Sequence, residues 1–189
     1  MKLVIGLGNP GSQYQGTRHN IGFDVLEQAR QYWQGGKPQL KFQSEIVELS
    51  VNGEKWILQA PLTYMNLSGQ AVQAAVKFFK IELTDLIVIC DDLNLPTGQL
   101  RLRASGSAGG QKGLANIIQQ LGTEEFSRLR VGIGRPSGSM STVDYVLGRF
   151  GASERSQMAE SVEFAVQALA VWAKEGIATA MNRFNASAN

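Results

Sequence analysis

The sequence is poor in the residues that would announce a secreted, membrane-bound or metal-built protein. It has one cysteine in 189 residues. Cys90 alone cannot close an internal disulfide, so a reducing compartment is expected. No stretch approaches the roughly 20 apolar residues of a membrane span. The opening Met1-Lys2-Leu3-Val4-Ile5-Gly6 is too short an apolar run for a signal peptide. A cytoplasmic protein without membrane contact is therefore expected. Net charge is also small, a formal +2, which argues for no partner by itself. Internal repeats, linkers and low-complexity blocks are missing. Ser68-Gly69 does not sit in G-x-S-x-G, so no nucleophile elbow is present. The glycine-rich segment Ser105 to Gly113 holds no Gly-Lys-Ser/Thr, so it is not a Walker A loop.

What is present is an ordinary globular balance, 43% hydrophobic and 18% charged. A chain of this length buries about 70% of its surface on folding, and a single domain over residues 1–189 is expected. Strands alternate with helical patterns, the mark of an α/β domain. Lys2 to Leu7 and Leu86 to Cys90 read as short buried strands. Asn20 is placed to cap a helix from Ile21 to about Trp33, ended by Gly35-Gly36. Phe42 to Val51 and Glu54 to Gln59 read as a hairpin turning at Asn52-Gly53. Ser68 starts a helix with a stripe of Ala71, Val72, Ala75, Val76 and Phe79. Gln99 to Arg103 alternates as a half-exposed strand. A helix from Leu114 to Leu121 follows the glycine-rich loop. Leu129 to Ile133 is a further strand, with Arg128 and Arg130 flanking Leu129. Arg135 to Thr142 reads as loop. Ser153 is placed to cap a long helix carrying Val162, Ala165, Val166, Leu169 and Trp172. A short helix with Ile177, Ala180, Met181 and Phe184 ends the pattern.

Gly6-Leu7-Gly8-Asn9-Pro10-Gly11 matches the dinucleotide pattern G-x-G-x-x-G, yet the rest of that fingerprint is missing. Binding a pyrophosphate needs a helix opening inside the motif. Pro10 has no N–H and disfavours helical geometry at Asn9. No acid stands about 20 residues further on to meet a ribose. Glycines permitting a tight turn after a strand are the better reading.

Polar residues fall at strand ends and on the loops that follow, where sites form in α/β folds. They are Asn9, His19, Asn66, Asp91, Asp92, Lys112 and Asn116. His19 is the only histidine, and imidazole alone among unperturbed side chains titrates near neutrality. It is a candidate general base if Asp91 reaches its ring and fixes the tautomer; a lone surface or structural histidine is the plainer alternative. Asp91-Asp92 has two other readings, a Mg²⁺ site or a turn cap. Adjacent strand residues face opposite ways, so only one of the pair is expected in a cleft. Cys90 reads as buried and inert. A water nucleophile fits better than a covalent one. Between Gly98 and Phe150 seven basic residues (Arg101, Arg103, Lys112, Arg128, Arg130, Arg135, Arg149) stand against three acids. That excess suits a polyanion, or is only a set of solvated charges.

These residues resemble a known family. Gly6 to Gly11, Tyr14, Thr17-Arg18-His19-Asn20, Thr63-Tyr64-Met65-Asn66-Leu67-Ser68-Gly69 and Asp91-Asp92-Leu93-Asn94-Leu95-Pro96 are similar to bacterial-type peptidyl-tRNA hydrolase. So are Gly109-Gly110 with Gly113-Leu114, Arg128-Leu129-Arg130-Val131-Gly132-Ile133-Gly134, and Tyr145-Val146-Leu147. The likeness runs in order along essentially the whole chain. It implies one α/β domain, a twisted mixed sheet flanked by helices on both faces in three layers. It implies hydrolysis of the ester between a nascent peptide and the 3′ end of tRNA, with no metal or organic cofactor. The implied partner is peptidyl-tRNA, and a monomer is expected. Position by position, His19 becomes the base and Asp91 its orienting partner. Asn9 and Asn66 position substrate and water. Tyr14 and Met65 help form the peptide cleft. Arg101, Arg103 and Arg130 contact tRNA. An RNA-binding homologue without hydrolysis is the alternative.

The chain departs from the family at one loop. The usual Gly-Gly-His-Asn-Gly is Gly109-Gly110-Gln111-Lys112-Gly113 here, so Lys112 stands at the asparagine. Lysine cannot accept a hydrogen bond, and a role as donor to an oxyanion or to the 3′ phosphate is expected instead. Cys90 and Asn94 stand where histidine and aspartate are common.

Overall fold

A computed structural model describes residues 1–185; the last four positions of the expected domain lie outside the described residues. One mixed sheet runs through it. The strands are β1 (Lys2–Gly6), β2 (Gln39–Lys41), β3 (Ser44–Val51), β4 (Glu54–Pro61), β5 (Leu86–Asp92), β6 (Leu100–Arg103) and β7 (Ser127–Gly132). Their order across the sheet is β2-β3-β4-β1-β5-β7-β6. The centre, β4-β1-β5-β7, is parallel, and antiparallel strands close both edges. The helices are α1 (Ile21–Tyr32), α2 (Ser68–Phe79), α3 (Lys112–Leu121), α4 (Thr142–Leu147), α5 (Ala152–Glu175) and α6 (Ile177–Phe184).

The two-residue period of the strands divides the core in two. Val4, Ile87, Ile89, Leu129 and Val131 pack with α1 and α5 residues such as Val25, Ala29, Ala165 and Leu169. Leu3, Ile5, Val88 and Cys90 pack on the opposite face with Val72, Ala75, Leu114 and Ile117 of α2 and α3. The expected three layers follow, because central strands buried on both faces need a helical cover on each.

The first glycines serve packing. A Cβ on Gly6 would lie 2.3 Å from the Gly22 carbonyl oxygen, and one on Gly22 would lie 2.4 Å from the Leu7 nitrogen. The start of α1 therefore rests directly on the end of β1. That contact carries the segment before α1, with His19, to the carboxyl ends of β1 and β5.

Several local expectations need correction. Phe42 is not in a strand: Phe42 and Gln43 have φ of 52° each and form the turn between β2 and β3. Asn20 precedes α1 but its side chain accepts no cap bond there; it is used elsewhere. Ser153 is not the cap of α5. Gly151 is, with its N–H on the Glu154 carboxylate at 2.7 Å. β7 starts two residues before the expected Leu129, so Arg128 lies within it, and it ends at Gly132 instead of Ile133. Thr142 opens α4, capped by Ser141 Oγ, which accepts from the Asp144 N–H at 3.1 Å. α3 begins at Lys112, two residues before Leu114, because the Gln111 side chain caps it.

Asp24, in the first turn of α1, is pushed up to about 6 from an ordinary 3.8 by burial. Ionising it costs more in the folded chain than in the unfolded one, so the native state binds its proton more tightly. The destabilisation is absent below about pH 4, grows between about 4 and 6, and is fully present above that. Asp24→Asn is expected to raise the thermal midpoint at pH 8 and to change it little at pH 4, read by calorimetry at the two pH values. An equal shift at both would contradict this.

Candidate active site

The carboxyl ends of β1 and β5 diverge around a cleft of about 790 Å³. Asn9 and His19 line it from the loop after β1, and Asp91, Asp92, Leu93 and Asn94 from the end of β5. Tyr64, Met65 and Asn66 come from the turn before α2, and Ala108 to Lys112 from the glycine-rich loop. Val143, Val146 and Leu147 of α4 form an apolar wall. The sequence thus brings together nearly all the residues singled out for a site.

His19 Nδ1 lies 2.8 Å from Asp91 Oδ2. The Asp91 side chain is 4% exposed and that of His19 14%. A carboxylate only accepts, so the ring nitrogen facing it carries the proton and Nε2 keeps its lone pair. The other Asp91 oxygen accepts from Gln111 Nε2 at 3.1 Å.

Asn9 is held from two sides. Its backbone N–H donates to Asn20 Oδ1 at 2.8 Å, and Asn20 Nδ2 donates to its carbonyl at 2.9 Å. Its side-chain Oδ1 accepts from the Met65 N–H at 2.9 Å, which fixes the amide and leaves Nδ2 to donate. Asn20, 4% exposed, thus clamps Asn9 instead of capping α1. Met65 is buried, and its sulfur meets Gln111 Nε2 at 3.1 Å. Asn66 and Lys112 are exposed at the rim.

Both aspartates reach the cleft, against the expectation of one. Asp92 points to the other face, where Arg130 Nη1 meets Oδ2 at 3.0 Å and the Asn94 N–H meets Oδ1 at 2.8 Å. An aspartate so engaged is not arranged as a metal ligand, and among the described residues no group of three His, Cys, Asp or Glu converges. Tyr14 does not line the cleft; it lies in the short turn Ser12–Tyr14, and its carbonyl accepts the Thr17 hydroxyl at 2.7 Å. Cys90 is buried, and its thiol is pushed up to about 12 by burial and then by the neighbouring Asp91 charge. It stays protonated and inert.

The arginines share one face of the sheet edge. Arg101 pairs with Arg130 and Arg103 with Arg128 across β6 and β7, and cross-strand partners project the same way. They are not equivalent. Arg128 is 1% exposed and donates to the carbonyls of Gly106, Ser107, Glu124 and Phe126. Burial holds its proton less tightly than usual. Arg130 also donates to the Ser107 carbonyl, at 3.0 Å. These two fasten the glycine-rich loop, so part of the basic excess is internal. Arg103 is exposed and Arg101 half-buried, and neither has a carboxylate partner among the described residues.

Residues missed in the sequence include Asn20, Gln111 and the α4 wall. Gln111 carried one signal, an amide in place of the histidine of the family's loop just before a helix. Asn20→Ala is expected to leave two partly buried backbone groups of Asn9 without their present partner and to lower unfolding free energy by about 1–3 kcal/mol. Urea denaturation measures it, and a change below about 0.5 kcal/mol would contradict the clamp.

Comparison with known proteins agrees along the whole chain. A family model described as peptidyl-tRNA hydrolase matches residues 3–189. A peptidyl-tRNA hydrolase from Rhodopirellula baltica is 50% identical over 187 residues, covering 99% of this chain and 98% of that one. One from Brevibacillus brevis is 49% identical over 185 residues, covering 98% of each. A crystal structure of peptidyl-tRNA hydrolase from Acinetobacter baumannii superposes with a TM-score of 0.92 at 34% identity, covering 98% of this chain and 95% of that one. With the mixed seven-stranded sheet and the cleft at its carboxyl edge, this chain belongs to the peptidyl-tRNA hydrolase family.

Proposed function

We propose that the chain hydrolyses the ester between a peptide and the 3′ end of tRNA, with His19 as general base on a water molecule. The observation that carries this reading is the 2.8 Å contact of His19 Nδ1 with Asp91 inside the cleft. The family and the named relatives support the substrate and the reaction.

With Nδ1–H committed to Asp91, Nε2 takes a proton from water as the oxygen attacks the ester carbonyl. The carbonyl oxygen gains negative charge, and donors at the cleft stabilise it. Asn9 Nδ2, the Asn66 amide and the Lys112 ammonium are the candidates on its lining. The tetrahedral intermediate collapses with loss of the 3′ oxygen of tRNA, which the imidazolium protonates. General base catalysis contributes about 10²- to 10⁴-fold, and one positioned oxyanion donor about 10²- to 10³-fold. An ester needs no more help than this, and no step calls on a metal or organic cofactor. Met65 and the α4 wall offer apolar surface to the peptide.

Arg101, Arg103 and Arg130 would meet tRNA phosphates. Contacts to phosphate position a polyanion without reading its sequence, which suits an enzyme acting on many tRNAs. Of the three, Arg103 is the freest and Arg130 is shared with Asp92 and Ser107. One chain carries every group named, so a monomer working in the cytoplasm suffices. No helix among the described residues is long and apolar enough to cross a membrane.

His19→Ala is expected to cut turnover of a peptidyl-tRNA by about 10²- to 10⁴-fold while tRNA affinity changes less than about twofold. Release of intact tRNA and free peptide, unaffected by chelator, is the readout; near-normal turnover would overturn the assignment. Arg103→Ala and Arg101→Ala should do the reverse. Each should weaken binding and reduce the slope of log K against log salt by about one, with single-turnover rate at saturation unchanged. Unaltered slopes would remove these residues from the tRNA surface.

A further inference from the structure

We propose that Gln111 is a positioning residue for the His19–Asp91 pair, acting through the carboxylate it donates to. The proposal rests on His19 being the base, and extends it to a residue nothing else assigns.

Gln111 is 9% exposed and ends the glycine-rich loop. Its side chain is fixed at both ends of the amide. Oε1 accepts from the Leu114 N–H at 2.7 Å, capping α3. That bond decides which way the amide faces, because only the oxygen accepts. Nε2 is then turned toward Asp91 Oδ1, at 3.1 Å, with Met65 Sδ at the same distance. Asp91 therefore has one fixed donor on each oxygen, Gln111 on Oδ1 and His19 on Oδ2.

This arrangement has two consequences. The carboxylate cannot rotate about its own axis without breaking a buried bond, so Oδ2 stays aimed at the ring. The Gln111 donor also draws charge toward Oδ1 and makes Oδ2 a weaker partner for a protonated ring. A weaker partner leaves the imidazole free to act as a base at lower pH. An amide does not titrate, so this influence is constant across the working range. The other charged groups around the pair are Asp92 from β5, Lys112 from α3, Arg130 from β7 and Arg135 from the loop after β7, with the Tyr64 phenol from the turn before α2. Of these, Asp92 is engaged by Arg130, and Arg135 donates to Asn94.

Two substitutions separate the positioning role from the helix cap. Gln111→Ser keeps a good cap but cannot reach Asp91. Gln111→Met fills the space and loses both cap and donor. Positioning predicts that both variants move the acid limb of the kcat/KM profile to higher pH by about half a unit. The pH titration of the single imidazole, followed by NMR in the resting protein, should move by the same amount. Unfolding midpoints should fall further in Gln111→Met, which loses the cap as well as the donor. A limb and an imidazole titration that stay in place in Gln111→Ser, or move only with the lost cap in Gln111→Met, would overturn the proposal. The NMR arm needs no turnover, so failure here is distinct from failure of His19 as the base.

Discussion

A histidine and an aspartate separated by 72 positions hold a 2.8 Å bond in this chain, and most of the architecture can be read as what keeps them there. His19 rides on the segment before α1, and Asp91 on the last turn of sheet in β5. The two meet only because α1 lies against β1 with no side chain between them, at Gly6 and Gly22. β1 and β5 are parallel neighbours, registered from Leu3 with Leu86 to Gly6 with Ile89, and the Leu7 N–H continues the ladder to the Ile89 carbonyl at 3.0 Å. Both chains therefore end at the same level, and the loops leaving them open one cleft. A buried core on both faces makes that level hard to change, since a one-residue slip would send every side chain of a strand into the opposite core, packed for different shapes.

Around the pair, asparagine and glutamine amides do the fastening. Asn20 grips the Asn9 backbone, Asn9 grips the Met65 backbone, Asn116 Oδ1 accepts from the Gly69 N–H at 2.8 Å, and Gln111 joins α3 to Asp91. Amides suit this work because each offers a donor and an acceptor without adding charge beside the one histidine. Toward the edge of the sheet, Arg128 and Arg130 hold the glycine-rich loop by its carbonyls. The same loop thus ties the cleft to the arginine-rich face that would receive the nucleic acid.

Much of this was legible in the residues. The apolar run of β5, the Asn52-Gly53 hairpin turn and the stripe of α2 are local signals, and each stands where its pattern placed it. The cleft members at strand ends were also readable, because chain topology puts such residues on one side of a parallel sheet. What the sequence hid were side-chain choices made by tertiary contacts. Asn20 has the composition of a helix cap, yet a buried backbone facing it wins its amide. Phe42 looks like strand by propensity, but the edge hairpin turns there. Arg128 reads as surface charge until four carbonyls enclose it. Tyr14 came in by resemblance alone and stands outside the cleft lining. Only one of Asp91 and Asp92 was expected in the cleft, and both line it, from opposite faces of the strand.

The account turns on which nitrogen of the single imidazole is free. Long-range ¹H–¹⁵N correlation spectra of the uniformly labelled protein above neutral pH report this directly, with one histidine and no ambiguity of assignment. The account predicts a ring protonated at Nδ1 and bare at Nε2, and the same spectrum altered in Asp91→Asn. A ring protonated at Nε2 would leave no lone pair toward water and would contradict it.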